Sequence, residues 1–128
     1  MTLVLDSGGV TALAGQRARL AELRRRDLWP AVVPTAVLTE ALTGDHRMDF
    51  HENRLLQMCV VREVTEAIAR DAAALRTATG RAAAVSAVDA IVAAVAALVS
   101  DPVVLTTDPR DLGDLVAGHP ARIAIGRV

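Results

Sequence analysis

The sequence predicts an α/β protein whose mostly parallel central sheet of four to five strands is flanked by helices. Two observations carry this prediction. Short apolar runs rich in β-branched residues alternate with longer segments of helical periodicity, and Gly or Pro stands at several of the boundaries. Strands that alternate with helices are typical of a parallel sheet covered on both faces. The 128 residues are about the length of one domain, so we predict a single domain over residues 1–128.

The first half of the chain contains three predicted strands. Residues 2–5 are an apolar run that stops at Gly8-Gly9, and residues 10–27 have a helical composition. Pro34 is suited to the first position of the next helix. The other elements predicted in this half are strands at 31–33 and 59–61 and helices at 34–42 and 48–58.

The second half begins with a helix over 65–79, for which Thr65 is an N-cap and Gly80 a terminator. An apolar helix follows over 86–99, and the run at 103–107 is a fourth strand that ends before Asp108-Pro109. The last two predicted elements are a short helix at 110–116 and a strand at 123–125.

The composition disfavours several classes of protein. The net charge of −1 provides no overall basic field for nucleic acid, so any polyanion must be held locally. Trp29 and Phe50 are the only large aromatic residues, which disfavours a protein that stacks the bases of a single strand. Cys59 is the only cysteine, as expected in a reducing compartment. The N-terminal residues lack the pattern of a signal peptide, so we predict a cytoplasmic location.

One stretch is apolar enough to require a test for membrane insertion. Residues 82–99 are about as long as a short membrane span, but most of them are Ala and Val. Asp89 near the centre of the stretch would cost about 2.5–3.5 kcal/mol in a bilayer. We therefore predict a buried helix of a soluble domain and no contact with a membrane.

Acidic residues stand where two predicted strands end. Asp6 and Asp108 each follow a strand directly, and the carboxyl ends of parallel strands form the edge where such sheets bind ligands. Each residue is also well placed to cap the helix that follows it, and Asp108-Pro109 fits a cap especially well. Position alone favours capping for both.

Two further carboxylates belong to helices. Asp89 is the only non-apolar residue between Ala87 and Val99, and an ionised carboxylate in a buried helix needs a counter-charge or a proton. With Ser86 it also forms a capping box, which would fix it near the helix start. Glu40 follows Pro34 on a helix and, taken alone, is an ordinary exposed glutamate.

Taken together, the four acids predict a metal site. Asp6, Asp89 and Asp108 stand at strand ends or helix starts, and Glu40 can reach the same edge of the sheet. Carboxylates that share a site repel one another unless a cation compensates them. Oxygen-only ligands favour Mg²⁺ or Mn²⁺, and carboxylate-held ions of this kind often act on phosphates.

Four segments in this order resemble the PIN-domain ribonucleases and, among them, the VapC-type toxins of bacterial toxin–antitoxin pairs. The matching segments are LVLDSG (3–8), PTAVLTEAL (34–42), SAVDAIVAA (86–94) and VLTTDPRDL (104–112). Each motif alone is weak, whereas the ordered set spans most of the chain and is fairly specific. The resemblance implies a three-layer PIN-like fold.

The resemblance also implies an activity, a cofactor and partners. It implies that Asp6, Glu40, Asp89 and Asp108 surround one or two Mg²⁺ or Mn²⁺ ions and that metal-activated water hydrolyses RNA, with structured tRNA or ribosomal RNA as substrates. It further implies a homodimer that a small antitoxin inhibits, and a threonine, Thr106 or Thr107, that bonds the carboxylates or a metal-bound water.

Some assignments near the fourth segment stay open. Asp111 lies three residues after Asp108 and could replace it, although we favour Asp108 as the ligand, with Asp111 and Ser7 as polar neighbours of the metal ligands. Arg110 lies between the two acids and is the best single candidate for a phosphate contact, together with Thr107.

The N-terminal arginines are a separate question. Arg17 and Arg24 lie seven residues apart, as do Arg19 and Arg26, so each pair lies on one side of a helix. These arginines could hold RNA phosphates. With Glu22 and Asp27 beside them, the favoured interpretation is a solvated helix face.

The leading hypothesis is thus a metal-dependent endoribonuclease that acts as a toxin. One alternative is a non-catalytic interaction module in which the acids only cap helices. Another is a metal-dependent phosphatase or DNA nuclease that uses the same carboxylates. The loss of Mg²⁺-dependent RNA cleavage in an Asp89→Asn variant would separate the first hypothesis from the second.

Overall fold

A computed structural model describes all residues from 1 to 128 and has five strands and seven helices in one α/β fold. The strands are β1 Thr2–Leu5, β2 Val32–Pro34, β3 Val60–Arg62, β4 Pro102–Thr106 and β5 Ala124–Arg127. The helices are α1 Ser7–Ala14, α2 Arg17–Arg25, α3 Thr35–Ala41, α4 Phe50–Gln57, α5 Glu66–Ala78, α6 Ala87–Ala96 and α7 Pro109–Ala117. The predicted fold class is therefore confirmed.

The sheet is parallel throughout and has the order β3-β2-β1-β4-β5. β1 lies at its centre, where Val4 pairs with Val32 of β2 and Leu5 pairs with Leu105 of β4. The two central strands consequently end side by side. This register places Asp6 next to Thr106 at the carboxyl edge of the sheet.

The hydrophobic core surrounds the two central strands and α6. Val4, Leu5 and Val104 are fully or almost fully buried, as parallel strands covered on both faces should be. In α6 every residue from Val92 to Ala96 is buried. Of the apolar stretch at 82–99, residues 87–96 form the core helix α6, which ends three residues earlier than the helix expected over 86–99. No helix in the structure is long and apolar enough to cross a bilayer.

Two glycines allow α1 to start directly against β4. A Cβ atom on Gly8 would collide with the Thr107 hydroxyl oxygen, and one on Gly9 would lie 2.5 Å from the carbonyl oxygen of Leu105. Both approaches are far closer than a normal contact. The Gly8-Gly9 pair therefore permits a close approach of strand and helix.

The structure differs from the sequence-based expectation at three further places. Pro34, expected at the first position of a helix, is the last residue of β2 and the N-cap of α3. The single helix expected over 10–27 is two helices, because α1 starts at Ser7 and ends at its C-cap Gly15 before α2 begins. The third strand, a short apolar run that we expected to be buried, is exposed: Val60 is 49% and Val61 40% exposed. β3 lies at the edge of the sheet and pairs only with β2, so no strand pairs with its outer edge.

Candidate active site

The ends of β1 and β4 bring Asp6 and Asp108 to one edge of the sheet. Asp6 is only 6% exposed and accepts a hydrogen bond of 2.7 Å from the Gly9 N–H, which makes it the N-cap of α1. Asp108 is exposed and caps α7 by accepting from the Arg110 N–H at 3.3 Å. Both acids are therefore helix caps, and capping itself holds them at this edge.

Thr106 connects the two strand ends. Its fully buried hydroxyl accepts a hydrogen bond of 3.0 Å from the Asp108 N–H. Burial raises the pKa of Asp6, and hydrogen bonds from the Thr106 hydroxyl and the Gly9 N–H partly offset that rise. Thr106, rather than the exposed Thr107, is thus the threonine beside the Asp6 carboxylate, and its hydroxyl also donates to the Asp108 carbonyl oxygen at 3.2 Å.

Asp89 lies in the first turn of α6, facing the same edge. Ser86 caps this helix by accepting from the N–H groups of Val88 and Asp89, at 3.1 and 3.3 Å. Burial raises the pKa of Asp89 to about 6, and four neighbouring negative charges add to the rise. In order of effect, these charges belong to Asp6, Glu40, Asp111 and Asp108.

The pKa of Asp89 shows that the predicted acids share one electrostatic environment. Its carboxylate lies in a partly desolvated position among like charges. Functional sites commonly raise the pKa of a carboxyl group in this way. The four predicted acids are thus neighbours although their positions in the sequence run from 6 to 108. Repulsion among them favours a bound cation or a bound proton at neutral pH.

Glu40 approaches the site from α3. It is exposed, as the sequence alone suggested. It also lines a shallow cavity of about 350 Å³ at the start of α1, together with Ser7, Gly8, Thr11, Ala12 and Thr107. The cavity places three hydroxyl groups beside the Glu40 carboxylate. Ser7, predicted as a polar neighbour of the metal ligands, and Thr107, predicted as a phosphate contact, therefore lie at the open side of the site.

Arg81 provides the only ion pairs at this edge. One of its Nη atoms contacts the Asp111 carboxylate at 3.2 Å and the Asp114 carboxylate at 2.5 Å. Asp111 therefore already has a counter-charge, whereas Asp6, Glu40, Asp89 and Asp108 form no ion pair. The exposed Arg110 also forms none.

The carboxylates provide the donor chemistry of a metal site without forming a closed set of ligands. No three His, Cys, Asp or Glu side chains are grouped closely enough to hold an ion as they stand. Glu40 and Asp108 are exposed, so they can change rotamer at little cost, whereas Asp6 is fixed by its hydrogen bonds. The residues fit a hard divalent cation by their oxygen-only chemistry and their uncompensated charge.

Sequence reasoning missed Arg81 and one further acid. Arg81 lies 30 residues before Asp111 in the loop between α5 and α6, and no local pattern predicts their contact. Asp49 is 4% exposed and accepts hydrogen bonds from the Thr43 N–H, the Thr43 hydroxyl and the Gly44 N–H, which hold its pKa below its ordinary value. Asp49 thus fixes the loop before α4 and is a structural residue.

Fold and site together define an α/β protein with a carboxylate cluster at the carboxyl edge of a parallel sheet. The chain belongs to the PIN domain family, whose model matches residues 4–115. No curated protein sequence matches the chain.

Solved structures with a similar fold include two toxin–antitoxin assemblies. One is the crystal structure of DNA-bound VapBC from Salmonella typhimurium, with a TM-score of 0.72, 17% sequence identity and coverage of 99% of this chain and 98% of that chain. Another is a toxin–antitoxin complex from Klebsiella pneumoniae, with a TM-score of 0.61, 20% identity and coverage of 99% and 96%. At these identities the likeness concerns the fold.

Proposed function

We propose that this protein is a divalent-metal-dependent endoribonuclease of the VapC type, the toxin of a toxin–antitoxin pair. Membership of the PIN domain family and a fold shared with VapBC and a second toxin–antitoxin complex support the proposal. One observation carries it: Asp89 is partly buried among four other carboxylates, its pKa is raised by that burial and then by their charges, and only Asp111 among the four is ion-paired. Such an uncompensated cluster costs stability and is explained by a function that uses it.

Four residues would hold the cation, Mg²⁺ or Mn²⁺. Asp6 and Asp89 are the less exposed pair and would be the fixed ligands, whereas Glu40 and Asp108 would complete the set from the open side. A bound ion of this kind supplies an activated water and neutralises charge on the phosphate. Asp6, Glu40, Asp89 and Asp108 are thus our proposed catalytic residues.

The surrounding residues position these carboxylates. The Gly9 N–H holds the Asp6 carboxylate through a hydrogen bond, and Ser86 fixes the start of α6 by accepting from the Asp89 backbone N–H. Asp111 is paired with Arg81, and we therefore assign the fourth ligand to Asp108 and a supporting role to Asp111. We assign Arg110 and Thr107 to substrate binding because both are exposed on the open side.

The proposed partners follow from the proposed class. We propose an RNA substrate, with structured tRNA or ribosomal RNA as the first targets to test, in the cytoplasm. We also propose a cognate antitoxin that covers the carboxylate edge, and a homodimer. The antitoxin's effect is measurable as loss of RNA cleavage on adding the purified partner.

The experiment is cleavage of total RNA by the purified chain with Mn²⁺, with EDTA, and as the Asp89→Asn variant. We expect discrete fragments that require both the metal and Asp89. The matched control is Asp71→Asn, which removes an exposed carboxylate from α5, outside the cluster. The same preparations are tested on DNA of equal length and on a small phosphate ester.

Three results would contradict the proposal. Cleavage of the ester or of DNA in preference to RNA would identify a phosphatase or a DNA nuclease. Full activity of the Asp89→Asn variant would refute the site. No cleavage and no Mn²⁺-dependent rise in melting temperature would favour an interaction module whose acids only cap helices.

A further inference from the structure

We propose that a cationic cavity between α2 and α4 binds the phosphodiester backbone of the substrate strand next to the cleavage site. The cavity is about 310 Å³ in volume and lies at the far end of α1 from the carboxylates. This inference rests on the proposed nuclease function and adds a second binding site to it. The lining residues are Ala14, Arg17, Leu20, Arg24, His51, Arg54, Leu55 and Met58.

Cationic side chains converge on the cavity from two helices. Arg17 and Arg24 lie on one face of α2, two turns apart, and His51 and Arg54 lie on one face of α4. All four are exposed. Two helices thus present three guanidinium groups and one imidazole to the same volume of about 310 Å³.

These charges have no carboxylate partner. The cations in the ion pairs of the protein are the Met1 amino group, Arg26, Arg70 and Arg81, so no arginine of the cavity is ion-paired. Arg54 lies over the Phe50 ring, with its Cζ 5.7 Å from the centroid, a contact that leaves the guanidinium edge available for hydrogen bonds. No acidic residue lines the cavity. The cluster is therefore uncompensated, in a chain whose net charge is −1.

The chemistry of the lining favours a phosphate over an apolar ligand. Leu55 is 2% exposed, and Leu20 and Met58 are half-buried, so the exposed residues of the lining are its three arginines and His51. A guanidinium group donates two parallel hydrogen bonds to a phosphate, and several of them around one cavity favour a polyanion. The cavity thus fits a backbone phosphate better than an apolar segment of a protein.

The position of the cavity connects it to the carboxylates. Ser7 and Thr11 line the shallow cavity beside Glu40, and Ala14 lines the cationic one. These three residues share one face of α1, at spacings of four and three residues. From Ser7 to Ala14 the helix rises about 10 Å. A short single strand can therefore lie along α1, with one phosphate among the carboxylates and another among the arginines.

The test is binding of RNA to the full-length Asp89→Asn protein, which lacks cleavage. Fluorescence anisotropy measures the affinity for a labelled single-stranded RNA of about 12 nucleotides, within the range of single-strand binding sites. Arg17→Gln and Arg24→Gln are each expected to weaken binding about fivefold, the effect of removing one exposed charge from the interface. The dependence of log K on log salt concentration should flatten by about 0.7 for each phosphate that the substituted side chain no longer neutralises.

The matched control is Arg19→Gln. Arg19 is exposed on the same helix and does not line the cavity, so its removal changes the net charge equally. We expect its affinity and salt dependence to equal those of the parent. A two-nucleotide RNA is too short to reach from the carboxylates to the arginines, so Arg17→Gln should leave its binding unchanged.

Two results would overturn the inference while the proposed function stands. In the first, wild-type protein cleaves RNA, but Arg17→Gln and Arg24→Gln bind the RNA of about 12 nucleotides as tightly as the control Arg19→Gln does. In the second, Arg17→Gln weakens binding of a poly-glutamate peptide but not of RNA, and the cavity then serves an acidic protein segment. If wild-type protein neither cleaves nor binds RNA, the proposed function fails and this inference fails with it.

Discussion

Asp89 shows how one side chain can link stability and function. Its pKa of about 6 in the folded protein lies above the value of 3.8 expected in the unfolded chain. Between those two values the folded state binds more protons than the unfolded state, so stability falls as pH rises. Above pH 6 the Asp89 carboxylate is ionised in both states, and the full loss of folding stability caused by its charge is present. Because Asp89 is partly exposed and solvent screens its charge, we expect the loss of folding stability to be about 1 kcal/mol.

We therefore expect Asp89→Asn to be inactive and yet more stable than the wild type in EDTA at pH 7.5. The expected rise in melting temperature is about 3–5 °C for a chain of this length. At pH 4 the two proteins should melt at nearly the same temperature, since the wild-type carboxyl is then protonated. Thermal melts at both pH values measure the difference, and a destabilised variant at pH 7.5 would contradict the electrostatic account.

Thr106 and Thr107 provide a second comparison at the residue scale. Thr106→Val removes a buried acceptor from the Asp108 N–H and should cost about 1–3 kcal/mol in urea unfolding. Thr107→Val alters an exposed hydroxyl and should change stability by less than about 0.5 kcal/mol. Equal effects of the two substitutions would show that Thr106 does not hold the strand ends together.

At the residue scale, the sequence predicts the carboxylates of the site more readily than the residues that contact them. Asp6, Asp89 and Asp108 follow strands or begin helices, positions that a linear pattern reveals. The choice between Thr106 and Thr107 depends on which side of β4 is buried, and the pattern left it open. The Arg81–Asp111 contact depends on how the loop before α6 packs against α7, which no periodicity encodes.

At the scale of elements, the junction of β1 with α1 is the tightest part of the site. Gly9→Ala would place a methyl group against the Leu105 carbonyl oxygen, which cannot move without disturbing β4. We expect a loss of about 1–3 kcal/mol and of RNA cleavage, since Gly9 also holds Asp6.

Gly113→Ala in α7 is the opposite case. Apart from its chain neighbours and the backbone of its own helix, no atom lies within 4 Å of the added Cβ atom, and the residue is inside α7. We expect a gain of about 0.5–1 kcal/mol. Urea unfolding of both variants is the measurement, and a gain for Gly9→Ala would refute the close packing of α1 on β4.

The order of the elements was predictable, whereas some of their limits were not. Ser86, Thr65 and Gly80 mark helix ends by their own chemistry, and the structure has ends at or beside each of them. The break between α1 and α2 was missed because residues 10–27 have a helical composition throughout. In the structure α1 begins at Ser7, directly after its N-cap Asp6, and ends at its C-cap Gly15.

At the scale of the whole molecule, the reactivity of the Cys59 thiol measures unfolding of the protein. Burial raises the pKa of its thiol to about 12, and the thiol donates a weak hydrogen bond to the Leu55 carbonyl oxygen at 3.3 Å. At pH 8 the folded protein thus has a thiolate fraction on the order of 10⁻⁴.

We expect Ellman's reagent to modify Cys59 slowly in native protein and at least about a hundredfold faster in denaturant. As the only cysteine, it gives an unambiguous signal. The rate as a function of urea should follow the unfolding transition seen by circular dichroism. Rapid modification of the native protein would mean that the end of α4 opens independently of the core.

The sheet order has a consequence for the time at which the site appears during synthesis. Asp6 leaves the ribosome first, but β1 pairs with β4, and Leu5 meets Leu105. The contact joins segments 100 residues apart, and such distant pairing is among the slowest steps in folding. A nascent chain that stops before β4 carries Asp6 and Glu40 without Asp108 and without the strand that holds Thr106. If the chain is the nuclease proposed here, incomplete products of its own translation are inactive. Nuclease activity then begins only after β4 and Asp108 have left the ribosome.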